Sequence, residues 1–505
     1  MLMFKKTLLS LSCSIALGAV AAPALASSKF FLVVPLNAQA QAQEPVEAIT
    51  VSLAGAALPK ATVNQTYSES LRNYLSVTGD AAFDPAAASW SLADGTLPAG
   101  LALDATTGAV AGTPTTKTTS PASFTVLASY KGSDGQAVYT IEVGGVVLNV
   151  RELSAGQKHT CAITDVGGVK CWGDNTYGQL GDNSTVQRLT PVDVAGLGSE
   201  VASIAAGGYS TCAVTTSGSA KCWGRNNYGQ LGINSTTTQS NTPEDVIGLG
   251  SGVASISVGE YHACAVITPG AAKCWGYNVQ GQLGDNSKTR RLSPVDVVGL
   301  DFGVESISAG SNHTCVLMTS GAAKCWGYNY YGQLGDNSTT ARLTPVAVVG
   351  LTSGVVNVEA GSYHTCAVMT SGVAKCWGLN TSGQLGDNST AQRLTPVGVD
   401  GLDSGVATIA AGAQNTCVVT ISGAAKCWGE NGAGQLGNNS TTDRLVPVDV
   451  VGLGSGVSSI STGYNHTCAT TTSGATKCWG QNSNGQLGDN STTDRKTPVD
   501  VQDFQ

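Results

Sequence analysis

A 14-residue segment recurs seven times along this chain and constrains its fold more than any other feature. The first copy begins at Cys171 and reads Cys-Trp-Gly-Asp-Asn-Thr-Tyr-Gly-Gln-Leu-Gly-Asp-Asn-Ser. The remaining copies follow at a period of 51 or 52 residues and begin at Cys222, Cys274, Cys325, Cys376, Cys427 and Cys478. A constant period of this size indicates supersecondary units that bury their apolar faces against one another, in a stack or a ring.

Each repeat unit contains about four short apolar runs, which predict four strands. In the third unit the runs lie at 253–259, 262–267, 272–276 and 293–298, and the second and third are joined by Thr268-Pro269-Gly270-Ala271, a hairpin turn. The chain has 64 glycines in 505 residues and only 12% charged residues, which suits many short strands joined by tight turns. Four-stranded units at this period predict a β-propeller.

The repeat also resembles a known family. Its pattern is His-Thr-x-Ala-Val-Thr-x-x-Gly-x-x-x-x-Trp-Gly-x-Asn-x-x-Gly-Gln-Leu-Gly, which is similar to the regulator-of-chromosome-condensation (RCC1) type of repeat. The resemblance covers all seven units and implies a seven-bladed propeller, which we expect at 146–505. Because the chain ends on an outer-strand sequence, we expect 497–501 to complete the blade that contains 152–173 and so to close the ring.

The N-terminus has the pattern of a secretory signal peptide, predicted at 1–26. Lys5 and Lys6 precede an apolar run from Thr7 to Val20, and Ala24-Leu25-Ala26 is a small-x-small cleavage site. A later cut near Ala40 and a transmembrane anchor, suggested by the second apolar patch at 30–34, are the alternatives. The run falls short of the ~20 residues that a spanning helix needs, so we predict no transmembrane segment after cleavage. A linker is expected at 27–47.

Residues 48–145 show period-2 alternation at 49–53, 124–128 and 139–143, which predicts strands of a β-sandwich with Trp90 in its core. The segment from Leu97 to Pro114 resembles the He-PIG type of immunoglobulin-like domain. In it, a turn at 104–108 is expected to separate two paired strands. The segment lacks the paired acidic motif of the calcium-binding cadherin-like relatives, so we expect no calcium site and interpret the domain as a plain spacer.

Every repeat carries two cysteines ten positions apart with a hairpin turn midway between them. They are Cys161 and Cys171, Cys212 and Cys222, Cys264 and Cys274, Cys315 and Cys325, Cys366 and Cys376, Cys417 and Cys427, and Cys468 and Cys478. An even step across a hairpin places the two residues opposite each other, within reach of a disulfide. We therefore predict seven disulfides and an oxidising compartment.

A metal site and free buried thiols are the alternatives for these cysteines. A histidine lies two positions before the first cysteine in five repeats, at His159, His262, His313, His364 and His466. Ser210 and Asn415 interrupt this series, and nine residues between two cysteines is not a usual zinc spacing. We expect no metal and no cofactor, and we expect the histidines to pack or to donate hydrogen bonds on the inner strands.

The repeated polar residues are expected to be structural. Asn175, Gln179 and Asp182 recur around the ring, whereas a catalytic centre needs different residues to converge at one place. They are predicted to cap turns and to bond between blades, and Asn183-Ser184-Thr185, which matches a glycosylation acceptor, is interpreted as a turn. No nucleophile or phosphate-loop motif is present, so we predict that the protein is not an enzyme and has no catalytic residues.

Specificity is expected where the repeats differ. After Trp-Gly, the first four units carry aromatic residues and an arginine, whereas the last three carry small or polar residues. Tyrosine and arginine dominate interface hot spots. The predicted partner-binding residues on one sector of one face are Tyr177, Arg225, Tyr228, Tyr277, Tyr328, Tyr330 and Tyr331. Scattered surface tyrosines are the alternative.

Together these observations predict an exported, non-catalytic binding scaffold of bacterial type, found extracellularly, on the cell surface or in the periplasm. Its expected partner is a protein or a surface glycan. A net charge of −8 and the absence of a Lys/Arg cluster argue against nucleic acid. A proteinaceous enzyme inhibitor is one alternative. The other, implied by the family's nuclear member, is a regulator that exchanges guanine nucleotides.

Overall fold

The computed structural model of the protein describes residues 47–63, 65–144 and 149–502. The predicted signal peptide, and the predicted linker except for Glu47, lie outside these residues. The described chain is all-β apart from two short 3-10 helices, at Leu71–Tyr74 and Pro85–Ala87. No helix in the described ranges is long and apolar enough to cross a membrane.

The N-terminal part consists of small sheets that enclose one core. Its strands are β1 Thr50–Leu53, β2 Ala56–Ala57, β3 Ala61–Thr62, β4 Tyr67–Ser70, β5 Leu75–Thr78, β6 Ser89–Gly95, β7 Leu101–Leu103, β8 Ala109–Gly112, β9 Ala122–Tyr130, β10 Ser133–Ile141 and β11 Val143–Gly144. One sheet has the order β2-β10-β9-β6 and another β4-β8-β7, while β1 pairs with β5 and β3 with β11. Trp90 is buried in the core, as predicted, together with Phe124 and Tyr139.

The predicted turn between β7 and β8 explains the glycine of its motif. The Asp104 carboxylate accepts backbone N–H groups of Thr106 and Thr107 at 2.8 and 2.7 Å. Gly108 has φ +65°, and a Cβ atom there would lie 2.4 Å from the Trp90 ring. Only glycine therefore fits both the backbone conformation and the space beside the core.

Seven four-stranded antiparallel sheets follow, one per repeat, and we name them blades 1 to 7. Blade 1 has β12 Val150–Ala155, β13 His159–Thr164, β14 Val169–Gly173 and β15 Arg188–Asp193; blade 2 has β16 Val201–Ala206, β17 Ser210–Thr215, β18 Ala220–Arg225 and β19 Gln239–Asp245; blade 3 has β20 Val253–Val258, β21 His262–Ile267, β22 Ala271–Gly276 and β23 Arg291–Asp296. Blade 4 has β24 Val304–Ala309, β25 His313–Met318, β26 Ala323–Gly327 and β27 Arg342–Ala347; blade 5 has β28 Val355–Ala360, β29 His364–Met369, β30 Ala374–Gly378 and β31 Arg393–Gly398. Blade 6 has β32 Val406–Ala411, β33 Asn415–Thr420, β34 Ala425–Gly429 and β35 Arg444–Asp449; blade 7 has β36 Val457–Thr462, β37 His466–Thr471, β38 Thr476–Gly480 and β39 Arg495–Asp500.

The hydrophobic core of the propeller lies between blades. One cluster joins Cys212, Cys222 and Leu231 of blade 2 to Ile256 and Trp275 of blade 3, and the same arrangement recurs around the ring. A single blade therefore cannot bury its own apolar face, which is the physical reason that the units close on one another. The first strand of each blade lines a central channel of about 290 Å³.

The expected closure of the ring is wrong in its detail. β39 pairs with β38 inside blade 7, and blade 1 is completed by its own β12 to β15. Each repeat is one whole blade, so no strand is left to be shared between the ends. The ring closes instead through side chains, because Val501 packs with Trp172 of blade 1 in a shared hydrophobic cluster.

Candidate binding face

The two cysteines of every repeat lie opposite each other in the second and third strands, as in the pair Cys161 and Cys171. Their Cα atoms are 4.1 Å apart in all seven pairs, and their sulfurs lie 2.04 to 2.12 Å apart, at disulfide distance. All of these cysteines are buried in the clusters between blades. The hairpin register thus produces the pairing that the even spacing predicts.

The repeated polar residues form a hub at each blade interface. The backbone carbonyl of Gln333 in blade 4 accepts a hydrogen bond from Thr365 Oγ1 at 2.8 Å and from Trp377 Nε1 at 2.9 Å, both in blade 5. His313 Nε2 lies 2.9 Å from the same Thr365 Oγ1. The equivalent histidines are His159, His262, His364 and His466, each bonded to a threonine of the next blade. They hold blades together, as hydrogen-bonding groups of the inner strands.

This geometry fixes the histidine tautomer. The threonine hydroxyl donates its proton to the glutamine carbonyl, so it must accept from Nε2–H, and Nδ1 carries no proton. Burial lowers the pKa of His159 and His364 to about 4, and of His262, His313 and His466 to about 3. The rings are therefore neutral at physiological pH.

Two interfaces depart from this pattern. Blade 2 has Ser210 at the histidine position, and Ala263 of blade 3 stands where the threonine would face it, so both partners are replaced. Blade 6 has Asn415, whose buried amide atoms find no partner in the described chain, although Thr467 still donates to the Gln435 carbonyl at 2.9 Å.

The recurring asparagine and aspartate shape the long loop between the third and fourth strands. Asn175 Oδ1 accepts the Leu180 N–H at 3.0 Å, and its Nδ2 donates to Asp182 Oδ1 at 3.0 Å. The other Asp182 oxygen accepts from Arg188 at 2.8 and 2.7 Å. Burial raises the pKa of Asp182, but hydrogen bonds from Ser184, Arg188 and Asn175 outweigh it, so the net pKa is lowered. These residues cap the loop, as predicted for the repeated polar positions.

The residues that vary between repeats lie on one face of the propeller, in the third-to-fourth strand loop and in the first-to-second strand loop. The first-to-second and third-to-fourth strand loops both lie at one end of an antiparallel blade, and the backbone N–H of Arg225 bonds the carbonyl of Tyr209 across them at 2.9 Å. We name this surface the tyrosine face. It includes the predicted residues Tyr177, Arg225, Tyr228, Tyr277, Tyr328, Tyr330 and Tyr331, together with Tyr209, Tyr261, Tyr363 and Tyr464.

Arg225 lies within a cage of four tyrosine rings. Its guanidinium carbon is 4.9 Å from the centroid of Tyr177, 5.5 Å from Tyr209, 5.8 Å from Tyr228 and 5.4 Å from Tyr261. Its side chain donates a hydrogen bond from Nε to Asn227 Oδ1, at 3.2 Å. Cation–π contacts on several rings hold the side chain in one place.

A second group of tyrosines lies on blades 4 and 5. Tyr331 packs edge-to-face on Tyr330 and Tyr363, with ring centroids 5.1 and 5.5 Å apart, and Tyr328 contacts all three. Tyr330 is 65% exposed, which is unusual for so large a ring. Burial raises the pKa of Tyr328 and of Tyr363, so both hydroxyls are neutral.

A cleft of about 360 Å³ separates the two groups. Its lining residues are Tyr228, Tyr261, Tyr277, Gln280, Asn312, Tyr328, Tyr331 and Tyr363. No charged side chain of the described residues lines it. The arrangement can bind a ligand through aromatic stacking and neutral hydrogen bonds.

Sequence reasoning missed Tyr209, Tyr261 and Tyr363, which come from the loop before the second strand. A signal was present, because each occupies the position just before the histidine position of its repeat. It also missed Arg188, which lies six residues after Asp182. Five other blades have an arginine at this position, whereas blade 2 has Gln239 there and Ile233 in place of the aspartate.

The central channel opens on the same face. Glu359 lies on its wall and accepts hydrogen bonds from Ser308 Oγ at 3.1 Å and Asn357 Nδ2 at 3.2 Å. Burial raises the pKa of Glu359. In the described ranges, no cluster of three or more His, Cys, Asp or Glu is arranged to hold a metal ion.

Comparisons with known proteins agree with this architecture. A family model described as RCC1-like domain matches residues 239–505, and models of the Regulator of chromosome condensation (RCC1) repeat match 167–214, 150–179 and 201–230. A model described as "Putative Ig domain" matches residues 49–144.

The chain is 31% identical over 364 residues to Ultraviolet-B receptor UVR8 of Arabidopsis thaliana, covering 71% of this chain and 82% of that protein. It is 30% identical over 366 residues to E3 ubiquitin-protein ligase HERC2 of Homo sapiens, covering 70% of this chain but 8% of that protein. The solved structure of yeast RCC1 (Prp20) bound to Kap60 matches with a TM-score of 0.60 at 20% identity, over 70% of this chain and 84% of that chain, which shows a shared fold. The chain therefore belongs to the RCC1-like family, with an immunoglobulin-like domain ahead of its propeller.

Proposed function

We propose that this protein is an exported binding scaffold without catalytic activity, which holds a protein or a surface glycan on its tyrosine face. The observation that carries this proposal is the convergence of Arg225 and the tyrosines on one sector, with Tyr330 largely exposed. Tyrosine and arginine supply much of the binding energy at protein interfaces. Among the solved structures with this fold, yeast RCC1 (Prp20) is described in a complex with Kap60.

The interior of the propeller supports the absence of catalysis. The buried histidines, which would be the natural bases, are each bonded to a threonine at a blade interface. In the described residues none of them lines the cleft of the tyrosine face. A general base must reach the proton that it removes, and these rings do not.

Affinity capture from the native source tests the binding proposal. The full chain is compared with a Tyr330→Ala/Tyr331→Ala variant, and the captured molecules are identified by mass spectrometry and glycan analysis. We expect the variant to lose the partner. The matched control is Ser483→Ala/Asn484→Ala, at the equivalent loop positions of blade 7, which should retain it. Equal capture by all three chains would contradict the proposal.

Export is supported by the seven cysteine pairs, because disulfides persist in oxidising compartments. Cell fractionation and mass spectrometry of the native protein test it. We expect a chain that begins after Ala26 or near Ala40, outside the cytoplasm, with all seven pairs oxidised in non-reducing peptide maps. A full-length reduced chain in the cytoplasm would contradict export.

A further inference from the structure

The cleft on the tyrosine face exists because two positions of the aromatic series carry amides. The third residue after the variable position is Tyr228 in blade 2 and Tyr331 in blade 4, but Gln280 in blade 3. The residue before the histidine position is tyrosine in blades 2, 3 and 5, but Asn312 in blade 4. These two neighbouring replacements open the space between the tyrosine groups.

The side chains that line the cleft are neutral, because they are tyrosine hydroxyls and two side-chain amides, groups that can both donate and accept a hydrogen bond. The Tyr261 hydroxyl already donates to the Glu260 carboxylate. Within the described chain, the Gln280 side chain has no hydrogen-bond partner. Asn312 uses only Oδ1, which accepts from Gln282 Nε2 at 3.2 Å, so its Nδ2 is free to bind a ligand.

This lining selects the chemistry of the occupant. A charged group would lose hydration in a cleft whose lining side chains carry no counter-charge, and the Glu260 carboxylate beside Tyr261 would also repel an anion. A purely apolar group would leave the amides of Gln280 and Asn312 without partners. A proline-rich peptide, which aromatic grooves also bind, offers carbonyl acceptors but few donors. A sugar ring offers apolar C–H faces and hydroxyls that both donate and accept.

We propose that the cleft binds a neutral sugar ring of a glycan chain. The ring lies between Tyr277 and Tyr328, with its C–H faces against the tyrosines and its hydroxyls on Gln280 and Asn312. The cleft volume of about 360 Å³ is within the range of small-molecule sites. This inference rests on the proposed function, since it assigns part of the partner that the tyrosine face holds.

The test applies the full chain to an array of neutral and acidic oligosaccharides, followed by titration calorimetry of the strongest neutral binder. A Gln280→Leu/Asn312→Leu variant keeps the apolar volume of both side chains but removes the amides. We expect its affinity to fall at least about tenfold, the effect of losing one or two hydrogen bonds. The matched control is Gln414→Leu, which changes the position equivalent to Asn312 in blade 6, outside the cleft, and should bind as the native chain does.

Equal melting temperatures of the three chains exclude misfolding as the cause of a loss. Binding of acidic sugars alone, neutral binding that the double variant retains, or binding of a proline-rich peptide with the same sensitivity overturns the inference. If no neutral sugar binds while Tyr330→Ala/Tyr331→Ala still loses a captured protein, the sugar inference fails and the proposed function stands. If no neutral sugar binds and the Tyr330→Ala/Tyr331→Ala variant captures everything that the native chain captures, both the sugar inference and the proposed function fail.

Discussion

The blade interfaces and the tyrosine face are built from the same repeat, yet they differ in how strictly the repeat is kept. At all seven interfaces a tryptophan Nε1 donates to a glutamine carbonyl of the preceding blade, at 2.9 to 3.0 Å. On the face, the residue after Trp-Gly changes in most blades, from Asp174 and Arg225 to Tyr277 and Leu379. The interior must be uniform because every blade meets the next through one geometry, whereas the face is free to vary.

The exceptions inside the ring support this difference. Ser210 and Ala263 replace both partners of one histidine–threonine pair, and Ile233 and Gln239 replace both partners of one aspartate–arginine pair. Removing both partners costs less than leaving one buried polar group unpaired. These two interior changes are therefore paired, whereas Asn415 opposite Thr467 and Asn438 near Arg444 are single replacements that keep a polar amide at the site.

The largest expected effect comes from removing the end of the ring. Deleting residues 496–505 removes most of β39 and Val501, which is fully buried beside Trp172. We expect the free energy of unfolding to fall on the order of 5 kcal/mol, since both a strand and a part of the core are lost. Urea denaturation measures it. A chain that ends at Gln502 is the control, and equal stability of the two chains would show that the blade 7 to blade 1 contact does not hold the ring.

A smaller effect is expected at one interface hub. Thr365→Val removes the hydroxyl that bonds the Gln333 carbonyl and leaves His313 Nε2 without its partner, so we expect a loss of about 2 kcal/mol. Thr467→Val removes one bond only, because Asn415 faces it, and should cost about 1 kcal/mol. Urea denaturation of both variants tests the order. Equal losses would mean that the histidine contributes nothing to the interface.

The histidines predict a pH dependence that is specific to the interior. An unfolded histidine binds a proton near pH 6.5, whereas burial lowers the pKa of folded His364 to about 4. The contribution of this histidine to the free energy of unfolding is therefore fully present above pH 6.5, and it is lost as the pH drops from there toward 4. His364→Asn, the residue found in blade 6, should reduce the slope by about 1.4 kcal/mol per pH unit in this window. Urea denaturation of both chains at pH 7, 6 and 5 measures it, because the difference between the two chains removes the contribution of all other titratable groups. Parallel slopes would contradict the burial of this histidine.

The smallest effect is expected on the face. Tyr330 is 65% exposed, so Tyr330→Ala should change the free energy of unfolding by less than about 0.5 kcal/mol while weakening partner binding. Thermal and urea denaturation measure the first, and the capture experiment measures the second. A loss of stability comparable to that of Thr365→Val would show that this tyrosine belongs to the scaffold.

Much of the fold could be predicted from local pattern. The strands of each blade follow from short apolar runs, and the cysteine register follows from an even step with a turn midway. The clustering of Tyr177, Tyr228 and Tyr331 was predicted in part, because those residues share one loop position. Tyr209 and Tyr363 were not predicted, because they come from a different loop that meets the first only in the folded blade.

The sequence by itself determined the number of blades, the pairing of the cysteines and the positions that vary, since all three can be read by aligning the repeats with one another. Only the tertiary structure decided how the ring closes, which blade each histidine contacts and where a cleft opens among the tyrosines. Those features depend on contacts between blades, such as His466 with Thr160, whose residues are separated by most of the propeller's sequence. No local pattern specifies such a contact, and it forms only when the ring is complete.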